Sequence, residues 1–148
     1  MKNLYLLVFL VSQFILFNSC SSSNAVVSHG SDLSKYKYVV FGKESTGDRE
    51  LDDMIMLIQN EIANRFQVVS AQKGLELLNL GELILSPNIN VKSEKWDGGH
   101  TYITINFHDY DTSQSIAVIK SSGIGLTISH DQKIALNAIR KKLDKILK

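Results

Sequence analysis

The first 20 residues of this 148-residue chain limit which part of it can fold. After a short start that contains Lys2, the chain is apolar from Leu4 to Phe17, interrupted only at positions 12 and 13. This run of roughly 14 residues is shorter than the about 20 that a transmembrane helix needs. A basic start followed by an apolar run of this length is typical of a secretory signal peptide. We therefore predict that residues 1–19 are a signal peptide and lie outside the folded domain.

The only cysteine, Cys20, follows this run directly, with the small residue Ser19 before it. The segment Leu16-Phe17-Asn18-Ser19-Cys20 resembles the lipobox of bacterial lipoproteins, in the looser form of the Bacteroidetes type. The resemblance implies cleavage before Cys20, a diacylglycerol on its sulfur and acylation of its new amino group. Several acyl chains make attachment to a membrane lasting. The alternatives are an ordinary signal peptide beside a chance cysteine, or an uncleaved anchor.

Residues 20–34 separate the lipidation site from the first apolar pattern. They are rich in serine and lack periodicity, which predicts a flexible tether. Ser21, rather than aspartate, follows Cys20, and in enteric bacteria this favours the outer membrane. We expect a lipid-anchored protein of the cell envelope, held at the outer membrane through acylated Cys20, with a single domain over residues 35–148.

Hydrophobic periodicity predicts the elements of that domain. Helices are expected where apolar residues recur every three or four positions, and strands where they alternate or form short β-branched runs. The predicted order is β-α-β-(α)-β-β-β-α. Three consecutive strands joined by tight turns imply an antiparallel meander, so we predict an α+β two-layer sandwich, mostly antiparallel, with helices on one face. Strands are predicted near 36–41, 67–71, 83–96, 100–107 and 115–120, and helices near 49–66, 72–79 and 130–147.

Two segments carry a resemblance to known families. They are DLSKYKYVVF (32–41), followed by a long helix, and TYITINFHDYDTSQSIAVIKSSGIG (101–125), in which a D-x-x-T turn separates two strands. They resemble bacterial lipoproteins of unknown function, and their layout is similar to the curli-secretion lipoprotein family and the amino-terminal domain of the TolB family. The resemblance implies an envelope protein that acts through binding or assembly, with an envelope protein as its partner.

Composition excludes several other classes. A formal net charge of +1 lacks the basic excess of a nucleic-acid binder, so no nucleic-acid partner is expected. Removal of residues 1–19 takes away Lys2 and no acidic residue, which leaves the mature chain formally neutral. One cysteine excludes an internal disulfide framework and a cysteine-based zinc site.

Residues 96–111 hold the side chains best suited to a ligand or partner surface. Trp96 and Tyr102 flank a predicted Asp-Gly-Gly turn, and His108, Asp109 and Asp111 cluster at the next turn. Each pair also has an ordinary structural explanation. The aromatic residues could form a cross-strand pair that fixes the register, and aspartate is common in turns for backbone reasons.

Metal binding and catalysis receive little support from the sequence. Eight strand residues separate His100 from His108 by about 26 Å, too far to share one ion. His130 could join the turn that holds His108, but a solvated turn is the simpler interpretation, so no metal or cofactor is predicted. No Gly-x-Ser-x-Gly or His-Glu-x-x-His motif occurs, and no enzyme is predicted.

The sequence therefore leads to one main hypothesis and two alternatives. The main one is a membrane-anchored bacterial lipoprotein that acts without catalysis as an assembly, scaffold or interaction module of the cell envelope. The first alternative is a lipoprotein that binds a small ligand or a metal through residues 96–111. The second is an enzyme such as a cell-wall hydrolase, which would need a cleft with converging ionisable groups.

Overall fold

A computed structural model describes residues 20–28, 31–94, 100–124 and 128–147. The described part of the chain starts with a strand and a 3-10 turn. Short strands then alternate with helices, and a three-stranded meander and a final helix follow. The strands are β1 (Cys20–Val27), β2 (Tyr38–Val39), β3 (Gln67–Val68), β4 (Ile84–Glu94), β5 (His100–Asp109) and β6 (Ser115–Ile124). The helices are α1 (Arg49–Ala63), α2 (Ala71–Asn79) and α3 (Ile128–Ile146), and the 3-10 turn is Leu33–Lys35.

The six strands form one mixed sheet in the order β1-β6-β5-β4-β2-β3. The meander β4-β5-β6 is antiparallel, as predicted, and β1 extends it with another antiparallel pair. Strand β2 runs parallel to both β3 and β4, because α1 and α2 are the crossovers that connect them. The predicted α+β class is confirmed.

Helices α1 and α3 cover one face of the sheet, which we call the inner face. Helix α1 begins after Asp48, whose carboxylate accepts hydrogen bonds from the backbone N–H groups of Glu50 and Leu51 at 2.9 and 3.4 Å. Its apolar stripe and that of α3 pack on the inward side chains of the sheet. The stripes are Met54, Ile55, Ile58 and Ile62 on α1, and Ala135, Leu136, Ile139 and Leu143 on α3.

Helix α2 lies on the opposite face, at the β2 end of the sheet. It packs with Val40 and Ile84 in a separate apolar cluster, while the neighbouring residues Val39 and Leu85 belong to the main core. Successive strand residues point to opposite faces, so these neighbours mark the two sides of the sheet. The helices are therefore distributed two and one, where the sequence predicts all of them on one face. The reason is the strand order, since the chain moves from β2 outward to β3 and then back past β2 to β4. Right-handed crossovers that run in opposite directions across a sheet lie on opposite faces of it.

Strand β1 occupies most of the segment that the sequence predicts to be a flexible tether. All eight of its residues pair with β6, from Cys20 opposite Ile124 to Val27 opposite Ala117. Its serines give no hydrophobic pattern, but an antiparallel ladder needs only backbone N–H and C=O groups. The 3-10 turn at Leu33–Lys35 then leads into β2, and Leu33 is buried in the core. The predicted tether is corrected to an edge strand and a packed connection.

Strand β4 continues through Pro87, where the sequence predicts an edge or a break. Parallel pairing with β2 ends at Leu85, so the β2 side of β4 is free from that point on. The backbone N–H of Ile89 points to this side and donates to Glu44 Oε1 at 2.7 Å. Pro87, two residues earlier, has the same orientation, and its missing N–H costs no ladder bond. The prediction of an edge is correct for this part of β4.

None of the helices in the described ranges combines the length and apolarity that a membrane span requires.

Candidate functional site

Four strands present a continuous polar surface on the side of the sheet away from α1 and α3. We call it the open face. Residues paired across an antiparallel sheet point to the same side, so the register assigns its members directly. They are Ser22, Asn24 and Val26 of β1; Val118, Lys120, Ser122 and Ile124 of β6; His100, Tyr102, Thr104 and Asn106 of β5; and Asn88, Asn90, Lys92 and Glu94 of β4.

The open face alternates with the core along each strand. On β5 the inward residues Ile103 and Ile105 are at most 1% exposed, whereas Tyr102, which precedes them in the strand, is 39% exposed. Hydroxyl and amide side chains dominate the surface, and two lysines, Lys92 and Lys120, supply positive charge. Among its members Glu94 is the acidic residue, and it lies at one corner.

Lys120 lines two adjacent shallow cavities on this face. One, of about 310 Å³, is lined by β1, β5 and β6 and includes Tyr102 and Ser122. The other, of about 290 Å³, adjoins it on the β1 side beside Val26. Hydrogen bonds order the rim of the first cavity, because Ser22 Oγ lies 2.8 Å from Ser122 Oγ and Tyr102 Oη lies 3.0 Å from His100 Nδ1. The arrangement offers a cation surrounded by neutral donors and acceptors.

Asp109 lies on the inner side of β5 and organises the turn after it. One of its oxygens accepts from the backbone N–H and the hydroxyl of Thr112 at 2.8 and 3.0 Å, and the other accepts from Tyr36 Oη at 2.9 Å. Burial alone would raise the pKa of the Asp109 carboxyl, but these hydrogen bonds outweigh it and hold the pKa below its ordinary value. The same contact, together with burial of the phenol, raises the pKa of Tyr36 to about 12.

Among the predicted surface residues, Tyr102 lies apart from His108 and Asp109, which line one cavity. Tyr102 and His108 share strand parity but are six residues apart, about 20 Å along β5. His108 lines a different cavity of about 530 Å³, and its Nδ1 lies 3.2 Å from the carbonyl oxygen of Ser113. Asp111 is exposed in the turn. Trp96 lies outside the described residues, as does His29 of the predicted tether.

Metal binding gains no support from the residues that the structure describes. They contain no group of three or more histidine, cysteine, aspartate or glutamate side chains placed to hold an ion. His108 and Asp109 line the same cavity, but the carboxylate of Asp109 is already committed to Tyr36 and Thr112.

Sequence reasoning missed the central residues of the open face. Lys120 belongs to a predicted strand, but its partner Asn24 lies in the segment predicted to be a tether. Lys92 and Asn90 lie on β4, where the alternation is weak in the sequence. The available signal was the run of polar residues at every second position from Asn88 to Glu94, which marks a solvated strand face.

Comparison with known proteins identifies the fold and no family. No protein-family model matches the chain, and no curated protein matches it. A variant of PelC from Paraburkholderia phytofirmans, a dodecamer, aligns with a TM-score of 0.51 and 15% identity over 86% of this chain and 98% of that one. Another PelC dodecamer from the same organism aligns with a TM-score of 0.50 and 11% identity over the same shares.

A third structure resembles this chain over part of its own length. It is a PDZ domain protein from Parabacteroides distasonis, with a TM-score of 0.51 and 11% identity, and the match covers 92% of this chain and 38% of that one. At such identities these likenesses show a common fold alone.

Proposed function

We propose that this chain is a lipid-anchored assembly module of the bacterial cell envelope, which acts without catalysis by pairing the free edge of β1 with a second copy of itself. The observation that carries the proposal is the character of that edge. Within the described part of the chain, strand β1 is the last strand on its side of the sheet, and it presents eight residues, CSSSNAVV, with no charge, proline or bulge. Natural proteins usually protect an exposed edge with one of these features, because an unprotected edge is a template for strand addition.

The register identifies which backbone groups are available at this edge. The N–H of Ser28 donates to Ile116 on β6 at 2.8 Å. In an antiparallel ladder residues bond to the same neighbour at every second position, so the even-numbered residues of β1 face β6. Ser21, Ser23, Ala25 and Val27 therefore direct their N–H and C=O groups outward. Antiparallel pairing of two β1 edges would satisfy these groups and generate a two-fold dimer.

The comparisons support self-association as a property compatible with this fold. PelC is a dodecamer in the solved structures. The proposal transfers the capacity to associate and no particular number of subunits. The alternative role in ligand or metal binding through residues 96–111 is less well supported, since Tyr102 lines one cavity and His108 and Asp109 line another.

The lipid anchor is tested at Cys20. Mass spectrometry of the wild-type protein from membranes should find an amino-terminal peptide that begins at Cys20 and carries acyl chains. Cys20→Ser should abolish this modification and release the mature chain from the membrane fraction. An unmodified amino terminus on the wild-type protein would refute lipidation.

The edge is tested by a proline at an outward position. Ser23→Pro removes an N–H that faces away from β6, so the sheet should remain intact while strand addition is blocked. Light scattering of the Cys20→Ser mature chain should give a dimer or larger species, and Ser23→Pro should shift it to the monomer. Ser23→Ala keeps the N–H and is the matched control. A monomeric parent, or a proline variant that associates like the control, would contradict the proposed edge.

A further inference from the structure

We infer that the open face is a membrane-contact surface that binds anionic lipid headgroups and orients the domain flat on the bilayer. The inference rests on the proposed lipidation of Cys20 for its starting point, because that residue would hold one corner of the face at the membrane. It adds a second, non-covalent contact between the protein and the lipid.

The position of Cys20 relative to the face is fixed by the register. Cys20 pairs with Ile124, the last residue of the open face on β6. Ser22 and Asn24 follow on β1, and Asn24 pairs with Lys120, four residues or about 13 Å from the proposed anchor. Since β1 is paired from its first residue, no slack separates the anchor from the sheet. An acylated Cys20 would therefore keep the face within reach of the headgroups.

The corner of the sheet nearest to Cys20 exposes apolar and aromatic side chains. Ile124 is 38% exposed and Tyr102 is 39% exposed near this corner, and Val26, further along β1 opposite Val118, is 61% exposed, all on the open face. Tyrosine is enriched at the membrane interface because its ring enters the apolar boundary while its hydroxyl stays with the headgroups. Ile124, on the adjacent cross-strand row, adds apolar area beside the tyrosine, and Val26 adds more towards the other end of β1.

Charge on this face favours an anionic bilayer. Lys92 lies on β4 and Lys120 on β6, with β5 between them, and they belong to adjacent rows of cross-strand neighbours. Glu94 at the corner is the acidic member of the face. Each lysine held near an anionic surface strengthens binding about fivefold. The hydroxyl and amide groups around Lys120 supply hydrogen bonds for phosphate oxygens. A lipid anchor reinforced by basic residues is the two-signal arrangement that gives stable membrane attachment.

Helix α2 extends the same side of the molecule. It lies on the open-face side of the sheet, and Leu75 on it and Leu80 at its end are 57% and 77% exposed. These leucines would give a second apolar contact at the end of the sheet opposite β1. An acidic peptide is a poorer fit to this side, since the cavities of the open face are shallow and have volumes of only about 310 and 290 Å³.

Vesicle binding by the mature Cys20→Ser chain tests the inference without the anchor. Binding to vesicles of phosphatidylcholine with about one-third phosphatidylglycerol should exceed binding to pure phosphatidylcholine and should weaken as salt is added. Lys92→Glu with Lys120→Glu should reduce the affinity at least tenfold. Lys141→Glu with Lys145→Glu, on the exposed side of α3, makes the same change in net charge and should alter binding less than twofold.

Three results would overturn the inference: no preference for anionic vesicles, equal losses from the two double variants, or binding to an acidic polysaccharide in place of vesicles. The outcome is separable from the lipidation experiment, because an acylated Cys20 together with a Cys20→Ser chain that ignores vesicles would refute only the contact surface. In the lipidated protein, a spin label at Asn90 on the open face should respond to a lipid-soluble relaxant. A label at Asn137 on α3 should not respond, and equal responses would also refute the inference.

Discussion

At the scale of single residues, Gly123 determines how closely α3 approaches the sheet. A Cβ built on it would lie 2.2 Å from the backbone oxygen of Asp131 and 2.8 Å from the backbone nitrogen of Ala135. Both atoms belong to a helix backbone and cannot rotate away. The strand predicted near 115–120 stops short of this glycine, and the close approach is visible only after α3 is placed over β6.

Gly123→Ala should therefore lower the free energy of unfolding by about 2–3 kcal/mol, because the added methyl group must displace α3 from β6. Urea denaturation of the mature chain would measure the change. Gly42→Ala is the matched control, since a Cβ there meets nothing within 4 Å and no positive φ is recorded for it. Equal losses of unfolding free energy in the two variants would show that α3 can move away from β6 without cost.

The Tyr36–Asp109 pair predicts a pH dependence on the alkaline side. The pKa of Tyr36 is raised to about 12 in the folded chain, above the ordinary value of about 10. The unfolded chain loses this proton first as pH rises, so the stabilisation is complete below pH 10 and is lost as pH rises through the folded pKa. Unfolding measured at pH 9 and pH 11.5 should show a smaller alkaline loss in Tyr36→Phe than in the parent. At neutral pH the same variant should lose about 1–2 kcal/mol, because the Asp109 carboxylate loses a donor.

At the scale of elements, the sequence predicts the helices and strands whose apolar side chains recur at a regular spacing. In α1, Met54, Ile58 and Ile62 recur at helical spacing and are all buried. In β5, Ile103 and Ile105 alternate with exposed neighbours as expected for a half-buried strand. Such patterns are local, so one sequence is enough to read them.

Elements that depend on a distant partner were not predicted. Strand β1 has three serines and one asparagine among its eight residues and exists because β6 offers it a ladder about one hundred residues away. The side of the sheet taken by α2 depends on the strand order around β2. The open face could be predicted in part from the alternation in β4 and β5, but Asn24 beside Lys120 could not, because its strand was unknown.

The side chain of Glu44 accepts a hydrogen bond from β4 on the side where pairing with β2 has ended. Its ionised form should reduce the stability of the folded chain at neutral pH. Its Oε1 accepts from Ile89 N–H, while Oε2 is buried and has no hydrogen-bond partner among the residues that the structure describes. Burial raises the pKa of this carboxyl, so its contribution to stability is lost as pH rises through the folded pKa. Glu44→Gln keeps an acceptor without the charge and should raise the free energy of unfolding at pH 7 by up to about 1 kcal/mol. Thermal melts at pH 4 and pH 7 would test this, and a variant less stable at both values would contradict it.

An ion-pair cluster joins α1 to α3. Glu61 Oε1 lies 2.7 Å from a guanidinium nitrogen of Arg140, and Arg65 lies 2.5 Å from Asp144 Oδ1. The hydrogen bond from Arg140 is the main reason that the pKa of Glu61 lies below its ordinary value. Arg140 of α3, although partly exposed, is therefore paired with a residue of the neighbouring helix α1.

A double-mutant cycle of Glu61→Gln and Arg140→Gln should give a coupling of about 0.5–1 kcal/mol at pH 7, typical of a partly exposed pair. A lowered pKa means that this stabilisation is present above the ordinary glutamate pKa and is lost as pH falls through the folded value. The coupling should therefore vanish well below pH 4. A coupling that persists there would point to packing instead of charge.

At the scale of the whole molecule, stability should be graded from the meander outward. Strands β4 and β5 carry buried isoleucines on the inner face, whereas the residue that β1 packs against the core is the partly buried Ala25. Edge strands with few apolar contacts open at lower free energy than the core. Hydrogen exchange should show less protection for the ladder amides of β1 than for those of β5. Equal protection would mean that the whole sheet opens as one unit.

The two proposals combine into one orientation. If the open face lies on the bilayer, the sheet is parallel to the membrane and its β1 edge points sideways, along the plane in which neighbouring copies diffuse. Restriction to that plane raises the effective concentration of one edge for another. Helices α1 and α3 are then the surface turned away from the lipid.

If the chain is exported as we propose, the pairing of β1 with β6 also implies an order of events. Ser22 and Ser122 are hydrogen-bonded at 2.8 Å although 100 positions separate them in the chain. A chain that crosses a membrane amino terminus first presents Cys20 long before β6 has emerged. Contacts this distant in sequence form late. The processing that we propose at Cys20 would therefore act on an unpaired segment, and the same eight residues would become part of the sheet only when translocation is nearly complete.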